Sequence, residues 1–130
     1  MPRPLRYTPG GTVFHVLNRG VGLRTLFDKE EDFLAFERVI EETLRTRPMW
    51  LVAYCLLSNH WHFVLWPESD RDLPAFVQQL TNTHVKRWKQ HRREIGYGRL
   101  YQGCYKCFPV QTDDDFYPVV RYVRRNALAD

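Results

Sequence analysis

The sequence predicts an α+β fold, with an antiparallel sheet and helices, in a single domain that comprises residues 1–130. Two observations support this prediction. Short apolar runs rich in Val, Leu, Phe and Trp, bounded by turn residues, are typical of strands. Longer segments with apolar residues three and four positions apart are typical of amphipathic helices. These segments follow one another in the order strand, helix, strand, strand, helix, strand, helix.

The first strand is predicted over residues 12–17 and the first helix over residues 29–46. The strand run, TVFHVL, is rich in β-branched and aromatic residues. Asp28 is a candidate N-cap, and Glu31 follows three residues later, which is a capping-box pattern. Pro48 is expected to end the helix because a proline cannot continue its hydrogen bonding.

The stretch LVAYCLLSNHWHFVLWP, residues 51–67, is predicted to form two paired strands around a polar break of two residues. Because successive side chains on a strand point to opposite faces, His60 and His62 share one face of the second strand. Trp61 and the apolar residues that alternate with it take the other face. Since both faces are apolar, we expect this strand to be central and covered on both sides.

A second helix is predicted to begin at Asp72, which is a suitable cap, and to end at Gly96 and Gly98. A fourth strand is predicted over residues 101–111. Pro109 lies within that strand and lacks a backbone N–H, so the strand is expected at an edge of the sheet.

The last segment is predicted to be a third helix that begins near Asp114 or Asp115, because Pro118 is tolerated only in the first turn. Without this helix, the order of elements is the split βαβ arrangement of ferredoxin-like folds, an antiparallel sheet with helices on one face. The third helix is then available to cover the other face. That placement accounts for the expected burial of the His60 strand on both sides.

Composition excludes several classes of protein. Hydrophobic residues at 44% and aromatic residues at 15% are typical of a globular chain. No apolar run approaches the roughly 18 residues that span a bilayer, and the N-terminus lacks the apolar core of a signal peptide. We therefore expect a cytoplasmic protein with no membrane partner. Three cysteines, Cys55, Cys104 and Cys107, are an odd number, which argues against a disulfide framework.

The chain has a net charge of +4, and its basic residues are concentrated in two places. The segment 86–99 contains six lysine and arginine residues against one glutamate, and the segment 121–125 adds three arginines. Such patches are typical of proteins that bind polyanions, although an ordinary solvated helix face is an alternative. Nucleic acid is the favoured partner. The candidate DNA contacts are Lys86, Arg87, Lys89, Arg92, Arg93 and Arg125.

Two adjacent imidazoles on a buried strand lose solvation unless their nitrogens are engaged. They are either core histidines hydrogen-bonded to neighbours or two ligands of one metal ion. On the third helix, Tyr122 and Asn126 are four residues apart and project from the same side. If this helix covers the free sheet face, both side chains stand opposite His60 and His62. His15 is isolated in the first strand and is expected to be structural.

These motifs resemble those of the single-tyrosine HUH transposases, in particular the REP-associated tyrosine transposases. The HUH motif, two histidines around a bulky hydrophobic residue, corresponds to His60-Trp61-His62, and the family's tyrosine pattern corresponds to the segment 121–126. The segments 15–20 and 27–36 also look like the first strand and helix of the family. The resemblance covers roughly residues 5–128.

The resemblance implies a DNA transposase that cleaves and rejoins single-stranded hairpin or palindromic DNA of the REP type, as a monomer or homodimer. His60, His62 and Asn126 would hold Mg²⁺ or Mn²⁺, which polarises the scissile phosphate. Tyr122 would be the nucleophile and form a 5′-phosphotyrosine. Because this covalent link keeps the energy of the phosphodiester, rejoining would need no ATP.

Two alternatives follow from the residues themselves. Ferredoxin-like sheets also serve as non-catalytic nucleic-acid-binding modules, in which exposed strand aromatics stack on bases. A structural zinc site is the other alternative, formed by Cys104 and Cys107 with His60 and His62. The first alternative has no use for two histidines opposite Tyr122, and a lone Cys-x-x-Cys pair is a weak signal.

Overall fold

A computed structural model describes residues 7–92, 99–110 and 116–122. The elements are β1 (Val13–Arg19), a short 3-10 helix (Val21–Leu23), α1 (Glu30–Thr46), β2 (Trp50–Leu57), β3 (His60–Trp66), α2 (Asp72–Arg92) and β4 (Lys106–Val110). Residues 116–122 are helical. The predicted α+β fold is confirmed. Of the helices in these ranges, none is long and apolar enough to cross a bilayer.

The four strands form one antiparallel sheet in the order β2-β3-β1-β4. This order is that of the ferredoxin-like split βαβ arrangement. The hairpin strand β3 therefore lies between β2 and β1, as its two apolar faces predicted. Strand β4 lies at an edge next to β1, and Pro109 is within it, so the predicted edge position of this proline is also observed.

Helices α1 and α2 cover one face of the sheet and form the main core with it. The core contains the aromatic side chains of β3, Trp61 and Phe63, against Phe36 of α1 and Phe76 of α2, all of them fully buried. Burial of each such side chain contributes about 1.5–3 kcal/mol. The alternation along β3 is thus used as predicted, with the aromatic residues facing the two helices and the histidines facing away.

The opposite face of the sheet carries a second, smaller cluster. It is centred on Cys55 of β2 and Val64 of β3, and Val119 and Val120 of the helical segment 116–122 pack against it. The third helix therefore lies on the face that α1 and α2 leave free. This explains why β3 is buried on both sides.

The starts of both helices differ from the sequence prediction. The N-cap of α1 is Lys29 rather than Asp28, because the carboxylate of Asp32 reaches back to accept the backbone N–H groups of Asp28 at 2.8 Å and Lys29 at 3.1 Å. Asp72 lies inside the first turn of α2, where its carboxylate accepts the N–H of Ser69 at 2.9 Å. Asp32 and Asp72 therefore both cap their helices from within the first turn, rather than from the N-cap position.

Strand β4 begins at Lys106, five residues later than predicted. The preceding residues make other hydrogen bonds: the N–H of Gln102 donates to the carbonyl of Arg19, and Asn18 Nδ2 donates to the carbonyl of Gly103. The predicted ends at Gly96 and Gly98, and the predicted start near Asp114 or Asp115, lie outside the described residues.

Tyr101 anchors this loop to the core through a buried network. Trp61 Nε1 donates to the Tyr101 hydroxyl at 2.9 Å, and that hydroxyl is hydrogen-bonded to His84 Nδ1 at 2.6 Å. Burial raises the pKa of Tyr101 well above its usual value, so the hydroxyl stays protonated. This network holds the side chain of Trp61, the residue between His60 and His62, in a single position.

Removal of this hydroxyl is expected to destabilise the fold. Tyr101→Phe leaves the buried indole N–H of Trp61 without this acceptor, which costs about 1–3 kcal/mol. Urea unfolding monitored by fluorescence measures the loss, and Tyr7→Phe, on a tyrosine that is 76% exposed, is the matched control. Equal stability of the two variants would show that the network contributes nothing.

Candidate functional site

His60 and His62 lie at the beginning of β3, directly after the turn, on the sheet face opposite α1 and α2. Their ring centroids are 5.0 Å apart, with an angle of 81° between the ring planes. The shared face that the alternation predicted is therefore observed. What the pair can do depends on which ring nitrogens are engaged.

The Nδ1 atom of each motif histidine is occupied by a neighbour. His60 Nδ1 is 2.8 Å from Asn59 Oδ1, and since an amide oxygen only accepts, His60 Nδ1 carries the proton. His62 Nδ1 is 3.0 Å from His15 Nε2 on β1. With Nδ1 protonated, the lone pair of the ring is on Nε2, which is the atom that can bind a metal.

His62 Nε2 is a buried nitrogen that lacks a hydrogen-bond partner among the described residues. The side chain as a whole is only 5% exposed. A buried polar atom without a partner costs about 1–3 kcal/mol. A purely structural histidine would be placed so as to avoid this cost, whereas a metal ligand has to keep the atom available.

The pKa values of the buried histidines favour the neutral form that a metal needs. Burial, followed by the charges of His15 and His60, lowers the pKa of His62 to about 4. Burial also lowers the pKa of His15. Near neutral pH both rings are therefore uncharged and have a lone pair to offer.

Tyr122 lies against this histidine cluster. Its ring centroid is 5.7 Å from that of His62 and 6.3 Å from that of His15, and both contacts are edge-to-face. Val119 and Val120 hold the helical segment on the sheet, and the Tyr122 side chain remains 52% exposed. Part of the Tyr122 side chain is therefore accessible from solvent.

Asn126, the predicted third metal ligand, and Arg125 beside it lie outside the described residues, so the role of Asn126 stays a prediction. Within the described ranges no group of three or more His, Cys, Asp or Glu side chains is arranged to hold a metal ion. The zinc alternative is therefore contradicted. Cys104 is exposed, and Cys107 packs against the main core on the face opposite His62.

His15 was expected to be structural, but it lies inside the candidate site. It is the residue that sequence reasoning missed, together with the role of Asn59. The alternation in β1 places His15 on a definite face, but only the register of β1 against β3 brings it next to His62. Asn59 was detectable, because it directly precedes His60 in the chain.

The predicted DNA contacts of α2 lie on the side of the sheet opposite the histidines. Lys86 is exposed, and Lys89 is partly buried and lines a cleft. Arg87 forms a bidentate ion pair with Glu42 of α1, in which its two terminal nitrogens are 2.7 and 2.8 Å from the carboxylate oxygens. This hydrogen bonding lowers the pKa of Glu42. Arg87 thus links the two helices. The side chain of Arg92 and all of Arg93 lie outside the described residues.

The cleft beside Lys89 has a volume of about 700 Å³ and lies between α2 and the loop 99–105. Its polar lining includes Asn18, Asn82 and Arg99. Asn18 pairs with Trp61, the residue between the two motif histidines, so the cleft opens at the same end of the sheet as the histidine pair.

Comparison with known proteins agrees with this fold and these motifs. The family described as transposase IS200 like matches residues 12–126. A solved REP-associated tyrosine transposase bound to a REP hairpin aligns with a TM-score of 0.73 and 20% identity, over 99% of this chain and 73% of that chain. A protein from Deinococcus radiodurans R1 regarded as a transposase aligns with a TM-score of 0.64 and 13% identity, over 97% and 96%. No curated protein matches the chain.

Proposed function

The chain belongs to the family of IS200-like transposases, and we propose on this basis that it cleaves and rejoins single-stranded DNA through a covalent bond to Tyr122. One observation carries the proposal. The half-exposed ring of Tyr122 lies 5.7 Å from the ring of His62, whose buried Nε2 lacks a partner among the described residues. A nucleophile and a ligand atom that is not engaged by another described residue therefore lie close together.

In the proposed reaction, the Tyr122 hydroxyl attacks the scissile phosphorus and loses its proton. The bond from phosphorus to the 3′ oxygen breaks, and that oxygen takes up a proton and leaves as a free 3′-hydroxyl, so the proton lost by the tyrosine is balanced. The other strand end stays attached to the protein as a 5′-phosphotyrosine. Attack by a 3′-hydroxyl on this link reverses the step, and no ATP is consumed because one phosphodiester replaces another.

The described residues fit a divalent metal at the histidine pair. We propose the Nε2 atoms of His60 and His62, which lie across each ring from the Nδ1 atoms that contact Asn59 and His15, as ligand atoms, and Asn126 as a third ligand. When bound, the ion would stabilise negative charge on the scissile phosphate. Imidazole suits later transition metals while Mg²⁺ prefers oxygen ligands, so Mn²⁺ is the more sensitive probe of this site.

We further propose that the DNA is a hairpin with a single-stranded flank, as in the REP-associated branch of the family. The related structure was solved with a REP hairpin bound. In this chain the basic surface of α2 and the histidine pair lie on opposite faces of the sheet. If the hairpin stem binds α2 and its single-stranded flank reaches Tyr122, the DNA must pass from one face of the sheet to the other. It would do so around the end of the sheet at which Asn18 pairs with Trp61.

A second candidate function, binding without catalysis, is favoured by the exposed aromatic side chains of the sheet. Trp50 is 66% exposed and Trp66 is 45% exposed, and their ring centroids are 6.2 Å apart. Bases of single-stranded DNA stack on such rings. This reading gives no role to the unpartnered nitrogen of His62, which is why we place it second.

Strand cleavage of end-labelled hairpin DNA tests the proposed function. With Mn²⁺, the fragment downstream of the cut should remain on the protein after SDS treatment, and the upstream fragment should be released with a 3′-hydroxyl. Removal of Mn²⁺ by EDTA should prevent both products. Tight binding without either product would instead support the binding module.

The basic surface of α2 is expected to bind DNA phosphates. Lys86→Glu and Lys89→Glu should weaken binding of all sequences alike and reduce the slope of log affinity against log salt by about 1 for each phosphate that is no longer neutralised. Fluorescence anisotropy over a range of salt concentrations measures this slope. Arg45→Glu, on the exposed surface of α1, makes the same charge change and should leave the slope as in the wild type. An unchanged slope in the lysine variants would make this face ordinary solvated surface.

A further inference from the structure

We propose that His15 is a positioning residue for the metal site, which accepts a hydrogen bond from His62 Nδ1 and so keeps His62 Nε2 unprotonated. The inference rests on the proposed function, because it concerns the ligand atoms of that site. Neither the family motif nor the sequence pattern assigns His15 a role. The proposal follows from the position of its ring in the sheet.

The sheet itself holds the two rings together. His15 is on β1 and His62 is on β3, and they are diagonal neighbours, since His15 pairs with Val64 and His62 pairs with Leu17. Their rings stack with centroids 5.2 Å apart and an angle of 24°, and Nε2 of His15 is 3.0 Å from Nδ1 of His62. Because β1 is hydrogen-bonded to β3 and to β4, its register fixes this distance.

One proton is shared between the two nitrogens, and its position decides what His62 can do. If His15 donates, His62 Nδ1 is the acceptor, and its proton moves to Nε2, where it is buried without an acceptor. If His62 donates, its Nε2 carries a lone pair directed into the candidate site. Only the second arrangement gives a nitrogen that can bind a cation.

The same arrangement is found at the other motif histidine. Asn59 Oδ1 accepts from His60 Nδ1 at 2.8 Å, so each ligand ring is held by a hydrogen bond on the side away from the ligand atom. Metal-binding histidines usually have such an outer partner, and its loss typically costs 10–100-fold in metal affinity. Asn59 directly precedes His60 in the chain, whereas His15 is far from His62 in the sequence and lies on another strand.

A direct ligand role for His15 does not fit its geometry. Its Nε2 atom is already directed at His62, and the described residues contain no group of three side chains suited to a metal. The centroid of its ring is also 6.4 Å from that of Phe108 and 6.3 Å from that of Tyr122, which it meets edge-to-face. These contacts orient the His15 ring toward His62.

Two variants separate hydrogen bonding from packing. In His15→Gln, the amide oxygen can occupy the position of Nε2 and accept the same proton, while His15→Leu fills the space without an acceptor. With purification tags removed, the Mn²⁺ dissociation constant measured by calorimetry should rise about 10–100-fold in His15→Leu and stay close to the wild-type value in His15→Gln. Wild-type affinity in His15→Leu, or an equal loss in both variants, would overturn the proposal.

Nitrogen-15 NMR of the histidine rings gives a readout that needs no metal. The wild-type His62 ring should be protonated at Nδ1, and His15→Leu should shift the proton toward Nε2. Absence of Mn²⁺ binding by the wild type would overturn the proposed metal-assisted function and this inference with it. Mn²⁺ binding by a wild type whose His62 is protonated at Nε2 would overturn the inference alone.

Discussion

Tyr122→Phe is expected to abolish the covalent protein–DNA adduct and to leave folding and DNA affinity almost unchanged. The substitution keeps the ring, and with it the edge-to-face contacts with His62 and His15. It removes only the hydroxyl of a residue that is 52% exposed, a change that usually alters stability by less than about 0.5 kcal/mol at a surface position. Phenylalanine offers no nucleophile, so hairpin DNA with Mn²⁺ should give no product that survives SDS.

Tyr117 is the matched control for this experiment. It is on the same helical segment and is 62% exposed, but it lies five residues earlier and lines a different cleft with Tyr7 and Trp66. Tyr117→Phe should therefore form the adduct at the wild-type level. An adduct that persists in Tyr122→Phe and is lost in Tyr117→Phe would transfer the nucleophile to Tyr117. Absence of an adduct from the wild type with every hairpin tested would favour the binding module.

The fold was largely predictable because its periodic patterns are strong. The predicted helix over residues 29–46 differs from α1 by one residue, since its apolar stripe and the proline after it leave little choice. The alternation in β3 correctly separated Trp61 from the two histidines. Each of these features depends on residues close together in the chain, and such local information can be obtained from one sequence.

The parts that were wrong depend on contacts between distant residues. Residues 101–105 have strand composition, yet Tyr101 forms only an isolated bridge with Gly20, and its side chain is hydrogen-bonded to Trp61 and His84 in the core. The role of His15 required the register of β1 against β3, which no local pattern gives. The ion pair of Arg87 with Glu42 likewise joins two helices whose facing surfaces become known only when they pack.

The candidate site was also predicted only in part. Residues that belong to a local motif were identified, and most residues that act through contacts with them were not. The HUH motif and Tyr122 were identified by motif, and the geometry brings His62 and Tyr122 together. The assignment of these residues to catalysis stays a proposal, as does the ligand role of Asn126. The polar partners of the rings, Asn59 and His15, were not predicted, although they decide which nitrogen of each ring is available.

His62→Phe is expected to eliminate Mn²⁺ binding without loss of stability in the metal-free protein. The variant has no ligand nitrogen, so calorimetry should detect no Mn²⁺ binding, while His91→Phe, on the exposed surface of α2, should bind as the wild type does.

The effect on stability is the difference of two contributions. Removal of the unpartnered buried Nε2 favours the folded state by about 1–3 kcal/mol, and loss of the hydrogen bond to His15 disfavours it by about 0.5–1.5 kcal/mol. The net free energy of unfolding should therefore stay the same or rise, as expected for a residue kept for function rather than for stability. A structural core histidine would give the opposite result. Intact Mn²⁺ binding in His62→Phe, or a decrease of several kcal/mol in the unfolding free energy, would contradict the metal site.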